Sequence, residues 1–176
     1  MKIIPLTHGQ FTKVDDEDFD ELSKYTWFAQ WNAGTKSYYA LSNQYRTKTK
    51  RFHQSMQRHV MGLKYGNKTQ IDHFSHDTLD NQKQNLRTAT PLENMWNSSK
   101  KTKATSIYKG VYKCNGKWMA QIRDKTKTVK RTTLGLFNSE IAAALAYNDA
   151  AILRSPTFHC LNEIPFQKVY ADLTNC

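Results

Sequence analysis

Cysteine is scarce in this chain of 176 residues. Cys114, Cys160 and Cys176 stand far apart. No two have the short spacing of a zinc ribbon, and three are too few for a disulfide scaffold. Isolated thiols fit a reducing compartment. Long apolar runs are missing as well: the longest span a handful of residues, against the roughly 20 that a bilayer-crossing helix needs. No apolar stretch with a small-residue cleavage site follows Met1-Lys2-Ile3-Ile4-Pro5-Leu6, so a cytoplasmic, unsecreted protein is expected. A basic amphipathic helix of the kind that lies on a membrane surface is also lacking, and nothing implies a membrane or protein partner. Acidic residues are the last shortage. There are 15 Asp+Glu against 26 Lys+Arg, which leaves a formal net charge of +11 and a pI near 9.6.

What the chain has in plenty argues for folding. Aromatics make up 12%, with four Trp and nine Tyr, too many for wholesale disorder. At roughly 100–200 residues per domain the length allows one domain or two small ones. The positive charge is uneven. Residues 1–34 carry three Lys against six acids, residues 35–110 fourteen basic residues against four acids, and residues 111–176 nine against five. The basic middle is interleaved with Tyr38, Tyr39, Tyr45 and Trp96, the composition of a surface that meets a phosphate backbone.

Residues 3–6 and 11–14 read as strands around the turn His8-Gly9. Asp15-Asp16-Glu17-Asp18 reads as a helix start, with a capping Asp and negative charge at the positive end of the helix dipole. Residues 27–32 and 37–41 read as a hairpin across Asn32-Ala33-Gly34-Thr35. Residues 47–52 read as a basic strand and residues 54–61 as a short helix. Residues 97–106 hold almost nothing to bury. They read as a tether, so the expected division is 1–100, a linker at 101–106, a second domain at 107–166 and a tail at 167–176.

The chemically informative stretch runs from Ile71 to Asn94. Residues 70–73 end a strand, a polar loop follows, and residues 86–89 form a second strand. Thr90-Pro91-Leu92-Glu93 is a capping box with Pro at the first helical position. Asp72 offers a hard anionic oxygen and Asn94 an amide oxygen. Together they suit one Mg²⁺ or Mn²⁺ ion that keeps positions for water and phosphate. Strand alternation turns His73 away from Asp72, toward an attacking water, and an imidazole with a pKa near ~6.5 suits a general base. Asn85 has the reach to hydrogen-bond across the loop and hold His73 in place. His76 is a rival base but sits in the loop. His53 and His59 fall in a basic region and read as surface residues or phosphate contacts. Zinc would want more His or Cys ligands than are present.

Asp72-His73, Asn85 and Asn94, with the phrase Asp80-Asn81 … Asn85-Leu86-Arg87, resemble the HNH nuclease family in the variant whose last His is Asn. That variant occurs among phage and intron-encoded nicking and homing endonucleases. The resemblance covers about a quarter of the chain. It implies a ββα-metal fold, with His73 as general base, Asp72 and Asn94 as metal ligands and Asn85 as the orienting residue. Related sequences often read His-Arg where this one has Gln57-Arg58. Arg58 and Arg87 are further candidate DNA contacts in this part.

After the tether, residues 109–114 read as a strand, and Asn115-Gly116 is the strongest short hairpin signal. Residues 117–123 alternate: Trp118, Ala120 and Ile122 face one side, and Lys117, Met119, Gln121 and Arg123 the other. Residues 129–135 supply a third strand. A helix begins at Asn138-Ser139-Glu140 and runs to about residue 154, its alanines permitting close packing on the sheet. The free face reads as open, polar and basic, and such a sheet can enter a major groove. This module resembles the Apetala-type DNA-binding domain of plant ethylene-response factors, also found fused to phage HNH nucleases. The matching residues are Tyr108-Lys109-Gly110-Val111, Gly116-Lys117-Trp118, Ala120-Gln121-Ile122-Arg123, Leu134-Gly135-Leu136-Phe137, Ala146-Tyr147-Asn148-Asp149 and Leu161-Asn162. The resemblance implies Lys109, Lys113, Lys117, Gln121, Arg123 and Arg131 as DNA contacts and Trp118 as core. The plant domains carry further Arg and Trp where this chain has Tyr112 and Thr133.

The sequence therefore predicts an α+β chain. An N-terminal antiparallel sheet region with a ββα-metal motif is followed by a three-stranded antiparallel sheet packed on one helix. The expected activity is monomeric, metal-dependent cleavage of double-stranded DNA. The alternatives are a non-catalytic DNA-binding regulator on a degenerate nuclease fold and, less favoured, an RNA-binding protein.

Overall fold

The structure, a computed structural model, describes residues 1–45, 50–98, 105–123, 131–166 and 168. Residues 101–104 of the expected 101–106 linker, the start of the expected strands at 47 and 129, and most of the 167–176 tail lie outside the described residues. The chain is mixed α+β, built from small antiparallel sheets and helices. It divides into two compact units, Met1–Thr90 and Pro91–Cys176. Among the described residues no helix is long and apolar enough to cross a membrane.

In the first unit, β1 (Lys2–Pro5) and β2 (Phe11–Val14) form a hairpin. Its turn uses His8 and Gly9 at positive φ, 59° and 64°. Helix α1 (Asp16–Leu22) follows, with Asp16, Glu17 and Asp18 in its first turn. Asp15 precedes it without making a side-chain cap. Its carboxylate instead accepts Gln82 Nε2 at 3.0 Å and Lys83 N at 2.8 Å, because a distant loop offers two donors that the helix end must compete with. Three strands, β3 (Trp27–Asn32), β4 (Ser37–Tyr45) and β5 (Arg51–Ser55), make an antiparallel sheet in that order. α2 (Met56–Val60) continues from β5. Strand β5 therefore runs later than expected, and the helix is shorter, because Gln54 is spent in the strand as the partner of Ser42. Alternation along the strands delivers Trp27 and Ala40 to one face, where they join Ile4, Val14, Leu22 and Met56 in the core. Trp27 satisfies its indole N–H on the Leu22 carbonyl at 2.8 Å. A second hairpin, β6 (Gln70–His73) with β7 (Leu86–Ala89), completes the unit.

The second unit opens with α3 (Pro91–Asn97). β8 (Val111–Cys114), β9 (Lys117–Ile122) and β10 (Thr132–Phe137) form a three-stranded antiparallel sheet with β9 central. The β8–β9 turn has Asn115 and Gly116 both at positive φ, 47° and 76°, as an Asn-Gly hairpin requires. α4 (Glu140–Arg154) is capped by Ser139, whose side chain accepts Ile141 N and Ala142 N. The helix lays Ala143 and Ala144 against Val111 and Ala120. Small residues on both sides bring helix and sheet close. At Gly110, φ is +76° and an added Cβ would meet the Tyr147 ring at 2.1 Å, so only glycine fits. Asn162 clasps the same segment, accepting Lys109 N at 2.5 Å and donating to Lys109 O at 3.1 Å. Asn148 in turn holds the Asn162 backbone through two bonds, 2.8 and 2.9 Å long.

Candidate active site

Strands β6 and β7 pair from Gln70↔Ala89 to His73↔Leu86, and Phe74 N donates to Asn85 O at 2.8 Å to close the loop between them. The loop is wound by its own short polar side chains. Asp77 Oδ1 accepts Leu79 N at 3.1 Å and Asp80 Oδ1 accepts Gln82 N at 3.3 Å, the Asx-type turns that aspartate favours. Asn85 spans the loop from inside. Its Oδ1 accepts Ser75 N at 2.8 Å, and its Nδ2 donates to Asp80 O at 2.8 Å and Asp77 O at 3.3 Å. One buried carboxamide thus fixes the backbone that follows His73 at three points.

His73 and Asp72 are both buried, 5% and 6% exposed. His73 Nε2 lies 3.3 Å from Asn81 Oδ1. Asn81 is completely buried and its Nδ2 donates to Thr12 Oγ1 at 2.8 Å, while Thr12 Oγ1 donates to Leu79 O at 2.8 Å. The sense of this chain is set from its far end. A carbonyl can only accept, so Thr12 spends its proton there and receives from the Asn81 amide. Asn81 then turns its oxygen to His73, and Nε2 must carry the hydrogen. The neutral ring consequently has its lone pair on Nδ1. Backbone bonds from Lys13 N to Leu79 O (2.9 Å) and Asn81 N to Lys13 O (2.8 Å) stitch the loop onto β2. The Tyr39 ring meets the imidazole edge-on, with centroids 6.2 Å apart. Neither Asn81, Thr12 nor Tyr39 was legible as a site residue. Asn81 stood beside Asp80 in a familiar phrase, but burial of a loop amide leaves no periodic signal.

Burial pushes the His73 pKa below the usual 6.5, more strongly than the Asn81 hydrogen bond and the charges of Asp72, Asp77 and Asp80 raise it. The sign for stability follows. A group with a depressed folded pKa binds its proton first in the unfolded chain, so its contribution is present above about pH 6.5 and is lost as pH falls toward the folded value. The melting temperature of the wild type should therefore drop more steeply below pH 6.5 than that of a His73→Gln variant. Parallel melting curves would refute the assignment of a neutral buried ring.

Asp72 pairs with Arg87 across the two strands. Its Oδ2 receives Arg87 Nε at 2.8 Å, with Nη2 at 2.7 Å. The guanidinium also lies 5.0 Å from the centroid of the Phe74 ring. Asn94 lies in α3, half-buried, and α3 belongs to the second unit. Among the described residues no three His, Cys, Asp or Glu side chains gather as a metal site. The set expected from the sequence is of another kind, one carboxylate and one carboxamide. Both donors are hard oxygens, so Asp72 and Asn94 suit Mg²⁺ or Mn²⁺ by chemistry. His76 sits in the exposed loop at φ 66°. His59 is packed edge-on against Tyr25 and Trp27, and exposed His53 lies against Phe28.

The cations expected to touch DNA divide into two groups. Lys117, Arg123 and Arg131 are exposed, and the register puts Lys117 and half-buried Gln121 on the face of β9 opposite α4. Lys113 is exposed but pairs with Trp118 on the helix side, its ammonium 5.8 Å from the centroid of that ring. Arg58 gives its guanidinium to Thr69 O at 2.6 Å and Asn67 O at 2.7 Å, and Arg87 serves Asp72. Lys109 donates Nζ to Trp96 O at 2.8 Å and to Ser98 O, satisfying carbonyls at the end of α3. Desolvation lowers its pKa to about 8. Arg154 lies over the Trp96 ring at 4.6 Å. Lys109→Met should lower the stability of the second unit by about 1.5–3 kcal/mol, the worth of a charged hydrogen bond, with no change in the salt slope of DNA binding. A slope reduced by about one would instead mark a lost phosphate contact.

Comparison with protein-family models, with curated proteins and with solved structures finds no match for this chain.

Proposed function

We propose that this chain is a metal-dependent DNA endonuclease of the HNH type, whose second unit grips duplex DNA. The observation that carries the reading is His73, buried beside Asp72 and held through Nε2 by Asn81, at the mouth of a loop that Asn85 closes. Nδ1 accepts a proton from water as the oxygen of that water bonds to phosphorus. The P–O3′ bond breaks and the 3′ oxygen takes a proton from solvent, which leaves 5′-phosphate and 3′-hydroxyl ends. A divalent cation would supply positive charge against the phosphate and the leaving oxygen, with Asp72 as its donor in the first unit. One such centre per chain cuts one strand, so a monomer nicks.

The test is supercoiled plasmid incubated with the protein and Mg²⁺, with and without EDTA. Nicked circles that need the metal support the reading. A second reading has one observation in its favour: the Arg87 guanidinium already sits on the Asp72 carboxylate, as a purely structural ion pair would. A DNA-binding regulator on this scaffold would bind duplex and yield no metal-dependent nicks.

A further inference from the structure

The open face of the second unit's sheet is not the uniformly polar surface that strand alternation suggests. The register sets Tyr112, Met119 and Leu136 side by side in one row across β8, β9 and β10. Leu136 is 56% exposed and Tyr112 37%. α4 packs on the other face, where Val111, Ala120, Ala143 and Ala144 are buried together. Beside the apolar row lies a polar one: Gln121 pairs with Thr133 and donates to its Oγ1 at 3.2 Å, with Met119 Sδ 3.5 Å from the same Gln121 nitrogen. Lys117 opens β9 on this side, and Arg123 follows its end.

An apolar row costs free energy in water unless something covers it. The frame of Lys117 and Arg123, and a chain of net charge +11, favour a polyanion as the cover. Among polyanions, duplex DNA presents an apolar group at the floor of its wide groove, the C5 methyl of thymine. Uracil lacks that methyl, and the major groove of A-form RNA is too narrow to admit a sheet.

We propose that the Tyr112–Met119–Leu136 row reads thymine methyl groups in the major groove, with Gln121 placed beside it to accept and donate at an adjacent adenine edge. The inference rests on the DNA-endonuclease reading and names the sequence class it takes: thymine-containing steps, not a run of G·C pairs.

The experiment selects duplexes from a random pool with the full chain in EDTA, then replaces each thymine of the selected site by deoxyuridine, which removes only the methyl. The expected result is a thymine-containing site that loses about three- to fivefold in affinity per contacted methyl, the worth of one buried carbon. Leu136→Ser, at an exposed position, should bind the thymine duplex more weakly and erase the difference between thymine and deoxyuridine. A thymine-free consensus, equal affinity for both bases at every position, or an undiminished deoxyuridine penalty in Leu136→Ser would overturn the proposal while leaving the endonuclease reading intact. Failure to bind any duplex would overturn both.

Discussion

His73→Ala will cut nicking of supercoiled plasmid by about 10²–10⁴-fold, the range that a positioned general base contributes, and leave affinity for duplex DNA within about twofold. The two effects separate because they draw on different parts of the chain. On the nuclease reading, affinity comes from cations meeting phosphates, and His73 is buried and depressed in pKa by that burial, so it would bring no charge to the backbone. The alanine variant also leaves Asn81 Oδ1 facing a void, at a cost of about 1–3 kcal/mol for a buried acceptor without its donor. Thermal melts must therefore accompany the assay. His73→Gln provides the control: an amide can donate to Asn81 but cannot take a proton from water at neutral pH. If His73→Gln folds like the wild type and still nicks at the wild-type rate, His73 is not the base. Asp72→Ala, tested alongside, should also lose cleavage and keep affinity.

Much of the second unit was legible because its signals are local. Alternation over residues 117–123 put Trp118, Ala120 and Ile122 on the helix side, and Asn115-Gly116 turned where two positive φ values are needed. Ser139 caps α4 by accepting Ile141 N and Ala142 N, a local signal. The hairpin of residues 70–73 and 86–89 was legible to the residue, since a polar loop rich in turn-forming Asp, Asn and Ser separates the two. Where expectation and structure part, a long-range partner has overridden a local preference. Asp15 left its helix to hold the 82–83 loop. Lys109 is a DNA contact by the resemblance, and in the structure its ammonium donates to the Trp96 and Ser98 carbonyls at the end of α3. Lys113 is another DNA contact by the resemblance, and its register partner Trp118 places it on the helix side of the sheet. Asn81 illustrates the limit best. Its identity was in plain view, but its role depends on Thr12, 69 positions away, which no spacing rule could join to it.

Arg87→Met will destabilise the first unit by about 3–5 kcal/mol, the cost of removing one partner of a buried ion pair. Asp72 keeps only 7% of its side-chain surface exposed and Arg87 19%, so water cannot take the guanidinium's place. The double variant Asp72→Asn/Arg87→Met should recover most of that loss, since two neutral groups need no pairing. The same variant interrogates the metal without any cleavage assay. If Asp72 is a metal ligand, Mg²⁺ restores the missing positive charge in Arg87→Met, and the ion meets less repulsion there than beside a guanidinium. At about a hundred times its dissociation constant the ion adds about 2.7 kcal/mol to any form that binds it. Mg²⁺ should therefore raise the melting temperature of Arg87→Met more than that of the wild type, with EDTA reversing the gain and Asp72→Asn/Arg87→Met showing none. Equal responses in all three proteins would mean that the carboxylate serves the ion pair alone, and the regulator reading would then gain the ground that the nuclease reading loses.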